Sequence, residues 1–326
     1  MSDEILIAGL GAAGTSIALA LRNAKLAVGL VGYDPDPKVS RASLKAQVVD
    51  RVIGNLRDSP SESDLCILSL QPAEMIPALE QLAPRLSEGA LVIGIGPVQS
   101  PIVAWCAQHL PAGRAYVGAF LVEGASAVNA EPEPGAQHDR FSGGVMGLIL
   151  PHRTPQSGID VAVSLARILD AHAFFLDPAE LDAACAATEG LPLLLSAALM
   201  NTSSSQPGWR DARRLSGRTY ARATDLLADL NAKPAAQSLA MSGTGLAAKL
   251  DALIAELNEW RTSLASGDEE AIVRRMSEAS DAHTTWLSAR RKGDWELEET
   301  RVTPPVQGPG VLERMFGLGM RRGKKK

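Results

Sequence analysis

The residue spacing with the clearest chemical meaning lies near the N-terminus. Gly9-Leu10-Gly11-Ala12-Ala13-Gly14 reads G-x-G-x-x-G, directly after the apolar run Ile5–Ala8 and at the start of a segment of helical pattern. Asp34 follows 20 residues after Gly14, just past the next apolar run, Ala27–Val31. A strand, a glycine-rich turn, a helix and an acid at the next strand end make a dinucleotide-binding unit. The first glycine forms the turn, the second admits the pyrophosphate and the third allows the helix to pack closely. The helix N-terminus faces the phosphate charge, and the acid accepts from the ribose 2′-hydroxyl. Gly9, Gly11, Ala12, Ala13, Gly14 and Asp34 are therefore the expected cofactor-binding residues. An acid at that strand end repels a 2′-phosphate, which favours NAD, while Lys38 and Arg41 close behind keep NADP open.

The elements that must position this unit follow from the apolar pattern. Strand-length apolar runs recur at Ile5–Ala8, Ala27–Val31, Leu65–Leu70, Leu91–Ile95, Ala115–Val117, Val145–Leu150 and Ala173–Leu176. Helix-length segments at 12–24, 73–86, 99–109 and 156–170 separate most of them. That alternation predicts right-handed β-α-β units and a mostly parallel, doubly wound (Rossmann) sheet covered on both faces. Asp177-Pro178-Ala179-Glu180 then reads as a helix start, with an Asp cap, Pro in the first turn and Glu at the capping-box position. No strand pattern follows up to about residue 292. Leu246, Leu250, Leu253, Ile254, Leu257, Trp260 and Leu264 form one apolar stripe at helical spacing, and Ile272, Met276, Ala279, His283 and Trp286 another, on which His283 is expected to be a core histidine. The expected organisation is a nucleotide-binding domain at 1–176, an all-helical dimerisation domain at 177–292, and a linker with a basic tail at 293–326. The first stripe is wide for one helix to bury in a small domain, which predicts a homodimer.

Composition narrows the function classes. With 326 residues, 46% hydrophobic and 21% charged, the chain has the material for about two globular domains. Three cysteines at wide spacing exclude a disulfide framework and a cysteine-rich metal module, so no metal site is expected, and they fit a reducing cytoplasm. The start, Ser2-Asp3-Glu4, is acidic where a secretory signal needs positive charge, and no run beyond Ile5–Leu21 is expected to approach a membrane span. Residues 313–326 carry six Lys/Arg against one acid, which leaves the remaining chain at −10 when the whole is −5. A body that acidic is a poor nucleic-acid ligand, and contact with an anionic membrane surface would fall to the tail.

From about residue 5 to 290 the chain resembles the prephenate/arogenate dehydrogenase family of tyrosine biosynthesis. The similarity shows in Ile5–Gly11, Val31–Pro37, Ser63–Ser69, Leu82–Leu86 with Gly89–Val92, Val117-Gly118, and Leu191-Pro192 before an apolar helix. Gly208-Trp209-Arg210-Asp211 with Arg214 resembles the family's Gly-Phe-Arg-Asp-x-Thr-Arg motif. The resemblance implies an NAD(P)-dependent oxidative decarboxylation, a homodimer built through the helical domain, and Arg214 as the partner of a small carboxylate. Where the family places its catalytic histidine, in Gly-His-Pro-Met-x-Gly, this chain has Ala119 to Gly124 with Phe120 at that position. The family's Gly-Ser-Val-Lys turn is Gly96-Pro97-Val98-Gln99, and its Ser-His-Leu-Pro-His segment is Glu189-Gly190-Leu191-Pro192-Leu193. A phenylalanine cannot accept a proton. The candidates for a replacement base are Glu123 and Glu189, new acids inside altered motifs, and the loop residues His138 and His152. The resemblance therefore leaves two alternatives: an oxidoreductase with a degraded or re-purposed substrate site, and a non-catalytic NAD-binding homologue. Gly243 to Lys249 also resembles a catalytic segment of β-hydroxyacid dehydrogenases, but it lies some 65 residues too late and is better explained as a hinge between helices.

Overall fold

A computed structural model describes residues 2–60, 63–124, 136–228 and 230–292. The linker and basic tail, and most of the loop at 125–140, lie outside the described residues. Eight strands form one sheet: β1 (Ser2–Ala8), β2 (Gly29–Tyr33), β3 (Arg51–Val52), β4 (Ser63–Leu68), β5 (Leu91–Ile95), β6 (Ala115–Val122), β7 (Val145–Ile149) and β8 (His172–Phe175). Their spatial order is β3-β2-β1-β4-β5-β6-β7-β8, and every neighbouring pair is parallel except β6 and β7. The helices of this half are α1 (Ala12–Asn23), α2 (Pro37–Lys45), α3 (Pro72–Leu82), α4 (Ser100–His109) and α5 (Gln156–Ile168).

Alternation of side chains along each strand divides the core in two. Ile5, Ile7, Leu65, Ile67, Leu91 and Ile93 pack with α1 and α5 on one face. Leu6, Ala8, Cys66, Leu68 and Val92 pack with α3 and α4 on the other. Both faces are covered, and this is why the strands read as continuous apolar runs rather than alternating ones. The fold is the expected doubly wound sheet followed by helices. Two short elements, α2 and β3, have no apolar run long enough to signal them. α2 is instead marked by local chemistry: the Asp36 side chain caps the Lys38 amide, and Pro37 opens the helix.

After β8, all the described secondary structure is helical: α6 (Pro178–Ser204), α7 (Trp209–Leu215), α8 (Arg218–Thr224), α9 (Ala232–Met241), α10 (Gly243–Ser266) and α11 (Glu269–Lys292). Among the described residues one helix, α6, is long and apolar enough to cross a membrane by length and composition, its 27 residues reaching a mean hydropathy of 1.5 over the most apolar window. Thr188, Glu189 and Gly190 break the apolar pattern in sequence, but a π-turn at Ala186–Gly190 carries the helix through them. By contact the chain forms two compact units. Residues up to Pro178 with the end of α11 from Ala282 make the first, and Ala179–Asp281 make the second. The last turns of α11 therefore belong with the sheet, not with the helices that precede them in sequence. Apart from Leu246, which is buried, much of the stripes on α10 and α11 is exposed: Leu264 is 64% and Met276 61% exposed. His283 is exposed as well, tilted against Trp286 at a ring distance of 5.8 Å, contrary to the expectation of a buried histidine.

Candidate functional site

In a doubly wound sheet the ligand crevice lies outside the carboxyl ends of the strands, where the strand order reverses. Here that point falls at β1, flanked by β2 on one side and β4 on the other. The turn after β1 is held tightly in place. Gly9 has φ +90°, and a Cβ there would lie 2.1 Å from the Ser69 carbonyl oxygen after β4. A Cβ on Gly14 would lie 1.8 Å from the Gly9 carbonyl oxygen, so α1 reaches the turn only because residue 14 is glycine. Gly11 is the opposite case. It has nothing within 4 Å of a Cβ, it is the N-cap of α1, and no side chain caps that helix. The first amides of α1 at Ala12 and Ala13 therefore adjoin open space, as a pyrophosphate cradle requires. The Thr15 hydroxyl donates to the Leu10 carbonyl at 2.7 Å and closes the turn from behind.

Asp34 stands half-buried at the end of β2. Its carboxylate accepts from the Leu10 amide at 2.8 Å and from the Asp36 amide at 2.9 Å, which fixes it beside the glycine turn. Asp36 adds a second carboxylate within the same loop, a residue the spacing argument did not single out. Lys38 and Arg41 are exposed on α2. The donor set fits a dinucleotide: an uncapped helix N-terminus for the phosphates and an oriented carboxylate for ribose hydroxyls.

Further along the same carboxyl edge, Gln99 shows what has replaced the family's lysine. Gln99 is 0% exposed. Its Nε2 donates to the carbonyls of Gly94 at 3.1 Å and Gly96 at 3.0 Å, and its Oε1 accepts from the Tyr116 hydroxyl at 2.8 Å. The amide ties the end of β5 to Tyr116 near the start of β6, so this side chain is committed to the fold. Phe120 is half-buried near the end of β6, paired with Gly147 of β7.

The four candidate bases are dispersed. Glu123, just beyond β6, forms an ion pair with Arg140 and accepts a hydrogen bond from Arg290 at its backbone carbonyl. His138 is exposed and lines an open hollow of about 650 Å³ with Leu19, Arg22 and Asn23, at the C-terminal half of α1 and away from the glycine turn. Topology places His152 away from the other candidates. It follows β7, which runs antiparallel to β6, so it lies at the edge of the sheet opposite the nucleotide turn. Sequence alternation cannot reveal that reversal, because a β7 of either direction has the same pattern. Glu189 sits in the π-turn of the helical unit, where burial of the carboxyl raises its pKa although much of the residue is exposed. Arg214 has a side chain 66% exposed, 3.7 Å from Asp211 one turn earlier on α7. The three thiols, Cys66, Cys106 and Cys185, are each pushed up to about 12 by burial, so none is a nucleophile at neutral pH. Among the described residues there is no cluster of three or more metal-binding side chains.

Taken together, the strand order, the glycine turn and the oriented acid define a dinucleotide-binding protein of the Rossmann class. The family described as prephenate dehydrogenase, nucleotide-binding domain, matches residues 17–145, a span that begins just after the glycine turn. Prephenate dehydrogenase of Bacillus subtilis is 25% identical over 98% of this chain and 85% of its own length. Prephenate dehydrogenase from Aquifex aeolicus, solved with hydroxyphenyl propionate and NAD+, superposes with a TM-score of 0.76 at 19% identity, covering 87% of this chain and 98% of that one. Synechocystis arogenate dehydrogenase superposes with a TM-score of 0.68 at 20% identity, covering 87% and 99%. The chain is similar in sequence and fold to prephenate and arogenate dehydrogenases.

Proposed function

We propose that the protein is an NAD-dependent oxidoreductase of the prephenate/arogenate dehydrogenase type with a re-purposed substrate site, acting on a small carboxylate. The carrying observation is the intact phosphate cradle at Gly9–Gly14 with Asp34 held by the Leu10 amide. Bound NAD supplies a hydride acceptor. The chain's own contribution is to bind and orient it: backbone amides for the pyrophosphate, and Asp34 for the ribose hydroxyls, with Asp34 and Asp36 together disfavouring a 2′-phosphate. The Aquifex relative, solved with NAD+, supports NAD as the nucleotide. Arg214 is the residue proposed to meet a ligand carboxylate.

The family reaction also needs a base at the substrate hydroxyl, and Phe120 cannot serve. Loss of a positioned base costs about 10²–10⁴ in rate. The candidates remain Glu123, Glu189, His138 and His152, and among them burial raises the pKa of Glu189. The second reading, an NAD-binding homologue without dehydrogenation, is favoured by Gln99, whose amide is spent on the β5–β6 clasp.

Purified protein with NAD and prephenate or arogenate, followed at the reduced-nicotinamide absorbance, separates the readings. Turnover at least ~100-fold below a competent relative is expected for either ligand. A rate near ~10 s⁻¹, typical of enzymes, would contradict a missing base. If slow turnover occurs, its loss in Glu189→Gln would assign the base, and its persistence would exclude Glu189.

A further inference from the structure

Three charged side chains from three distant stretches of chain meet at the end of β6. β6 is parallel to β5, so this end lies at the same sheet edge as the glycine turn. β6 and β7 pair in register there, Val122 opposite Val145. The chain flanking these strand ends is drawn close: a Cβ on Gly124 would lie 2.1 Å from the Ser142 carbonyl oxygen, and one on Gly144 2.1 Å from the Val122 carbonyl oxygen. That approach sets Arg140 against the carboxylate of Glu123. Arg290, 167 residues further along, reaches the same residue from the last turns of α11 and donates to its backbone carbonyl. Arg140 and Glu123 keep side-chain exposures of 29% and 37%, so solvent and ligands reach the pair. Burial lowers the pKa of Arg290, and the Glu123 charge opposes that shift.

We propose that Arg140 and Arg290 form a carboxylate-binding subsite at the carboxyl edge of the sheet, and that Glu123 is its resident anion, displaced when a carboxylate ligand binds. A guanidinium presents a planar fork of N–H donors that matches a carboxylate with two bonds, and the Arg290 contact to Glu123 is made to a neutral carbonyl. The Glu123 side chain can swing away while its carbonyl continues to hold Arg290. The subsite deepens the function proposed above and rests on it for the identity of the neighbouring ligand, the nucleotide. It also gives the ligand carboxylate a partner in the sheet unit that is separate from Arg214.

The test is calorimetric titration of 3-(4-hydroxyphenyl)propionate, and of its uncharged amide as control, into the full chain with and without saturating NAD. Glu123→Gln keeps the shape and the carbonyl but removes the competing charge. It should bind the acid about tenfold more tightly than the unmodified protein and leave the amide unchanged, a decade being ~1.4 kcal/mol. Arg140→Gln should bind the acid about tenfold more weakly. Equal acid affinities in both variants, with only their melting temperatures altered, would overturn the proposal and make the cluster a structural staple. Failure of every protein to bind the acid would overturn it too. Nucleotide-free titrations keep the two claims apart. Absent NAD binding in the unmodified protein would refute the nucleotide site, while the contrast between the variants would still decide the subsite.

Discussion

The sheet unit and the helical unit handle similar apolar material in opposite ways. In the first, Ile5, Leu6, Ile7, Ile67, Leu68, Leu79 and Ile93 are all within 1% of complete burial. In the second, Leu181, Cys185, Ala186 and Leu246 are buried, while Leu215 is 87% exposed and Leu199, Leu226, Ile254, Leu257 and Leu264 also face outward. Leu199 and Leu215 line an open groove of about 620 Å³ with Tyr220 and Ala223. Large exposed apolar patches are uncommon on monomeric soluble proteins. The sheet unit completes its own core, whereas the helical unit has the surface of an incomplete one. We propose that a second copy of the chain supplies the rest, as the homodimer expected from the α10 stripe.

Truncation in the two units gives the sharpest contrast. Leu79→Ala, on the buried face of α3, should cost about 2–5 kcal/mol in urea unfolding, independent of protein concentration. Leu257→Ala should show a loss that depends on concentration, because stability from a partner subunit follows mass action. A concentration-independent loss at Leu257 would break the comparison. Leu257→Asp should go further and shift the chain toward monomer in sedimentation, with a nucleotide-binding unit that still binds NAD. A monomer already present in the unmodified protein at micromolar concentration would contradict the dimer.

Smaller effects test the sheet unit itself. Asp34→Ser should lower the NAD-to-NADP affinity ratio by on the order of tenfold or more, because a carboxylate facing a 2′-phosphate at ~4 Å costs several kcal/mol at an effective dielectric of about 20. An unchanged ratio would remove Asp34 from nucleotide selection. The smallest effect is at Asp50, which accepts from the Leu30 amide and Arg22, each at 2.7 Å. Burial pushes its pKa up, but these two partners outweigh it and the net shift is downward. A lowered carboxylate pKa stabilises the fold above the ordinary value of 3.8, and the contribution is lost as pH falls through the folded-state value. Asp50→Asn should therefore cost less than about 1 kcal/mol at pH 7, since both side chains are partly exposed. The difference from the unmodified protein should close at acid pH.

What was legible in the sequence follows from which interactions are local. Gly9, Gly11, Gly14 and Asp34 are bound by a strand-turn-helix-strand unit whose spacing is fixed by geometry, so the turn and the acid beside it could be read directly. Cover on both sheet faces left continuous apolar runs, so the strands could be read as well. The direction of β7 could not, because side-chain alternation is the same in either direction, and the edge on which His152 lies could not be read without it. Arg140, Glu123 and Arg290 come together only through tertiary contacts, and no pattern in the chain links them. Gln99 could be read as a lost lysine, but its role as a β5–β6 clasp depends on Tyr116, 17 residues away on the next strand. On α10 and α11 the periodicity records an apolar face and is silent on which chain covers it, and the core position expected for His283 is not found, since that residue is exposed.

Calorimetric titration of NAD into the unmodified protein, with Gly11→Val alongside, tests the central claim most directly. The space above Gly11 is open, so valine fits the fold but projects into the phosphate path. Saturable NAD binding by the unmodified protein, with binding abolished in a folded Gly11→Val variant, is the predicted result. No detectable NAD binding by the unmodified protein, or equal binding by the two, would contradict it.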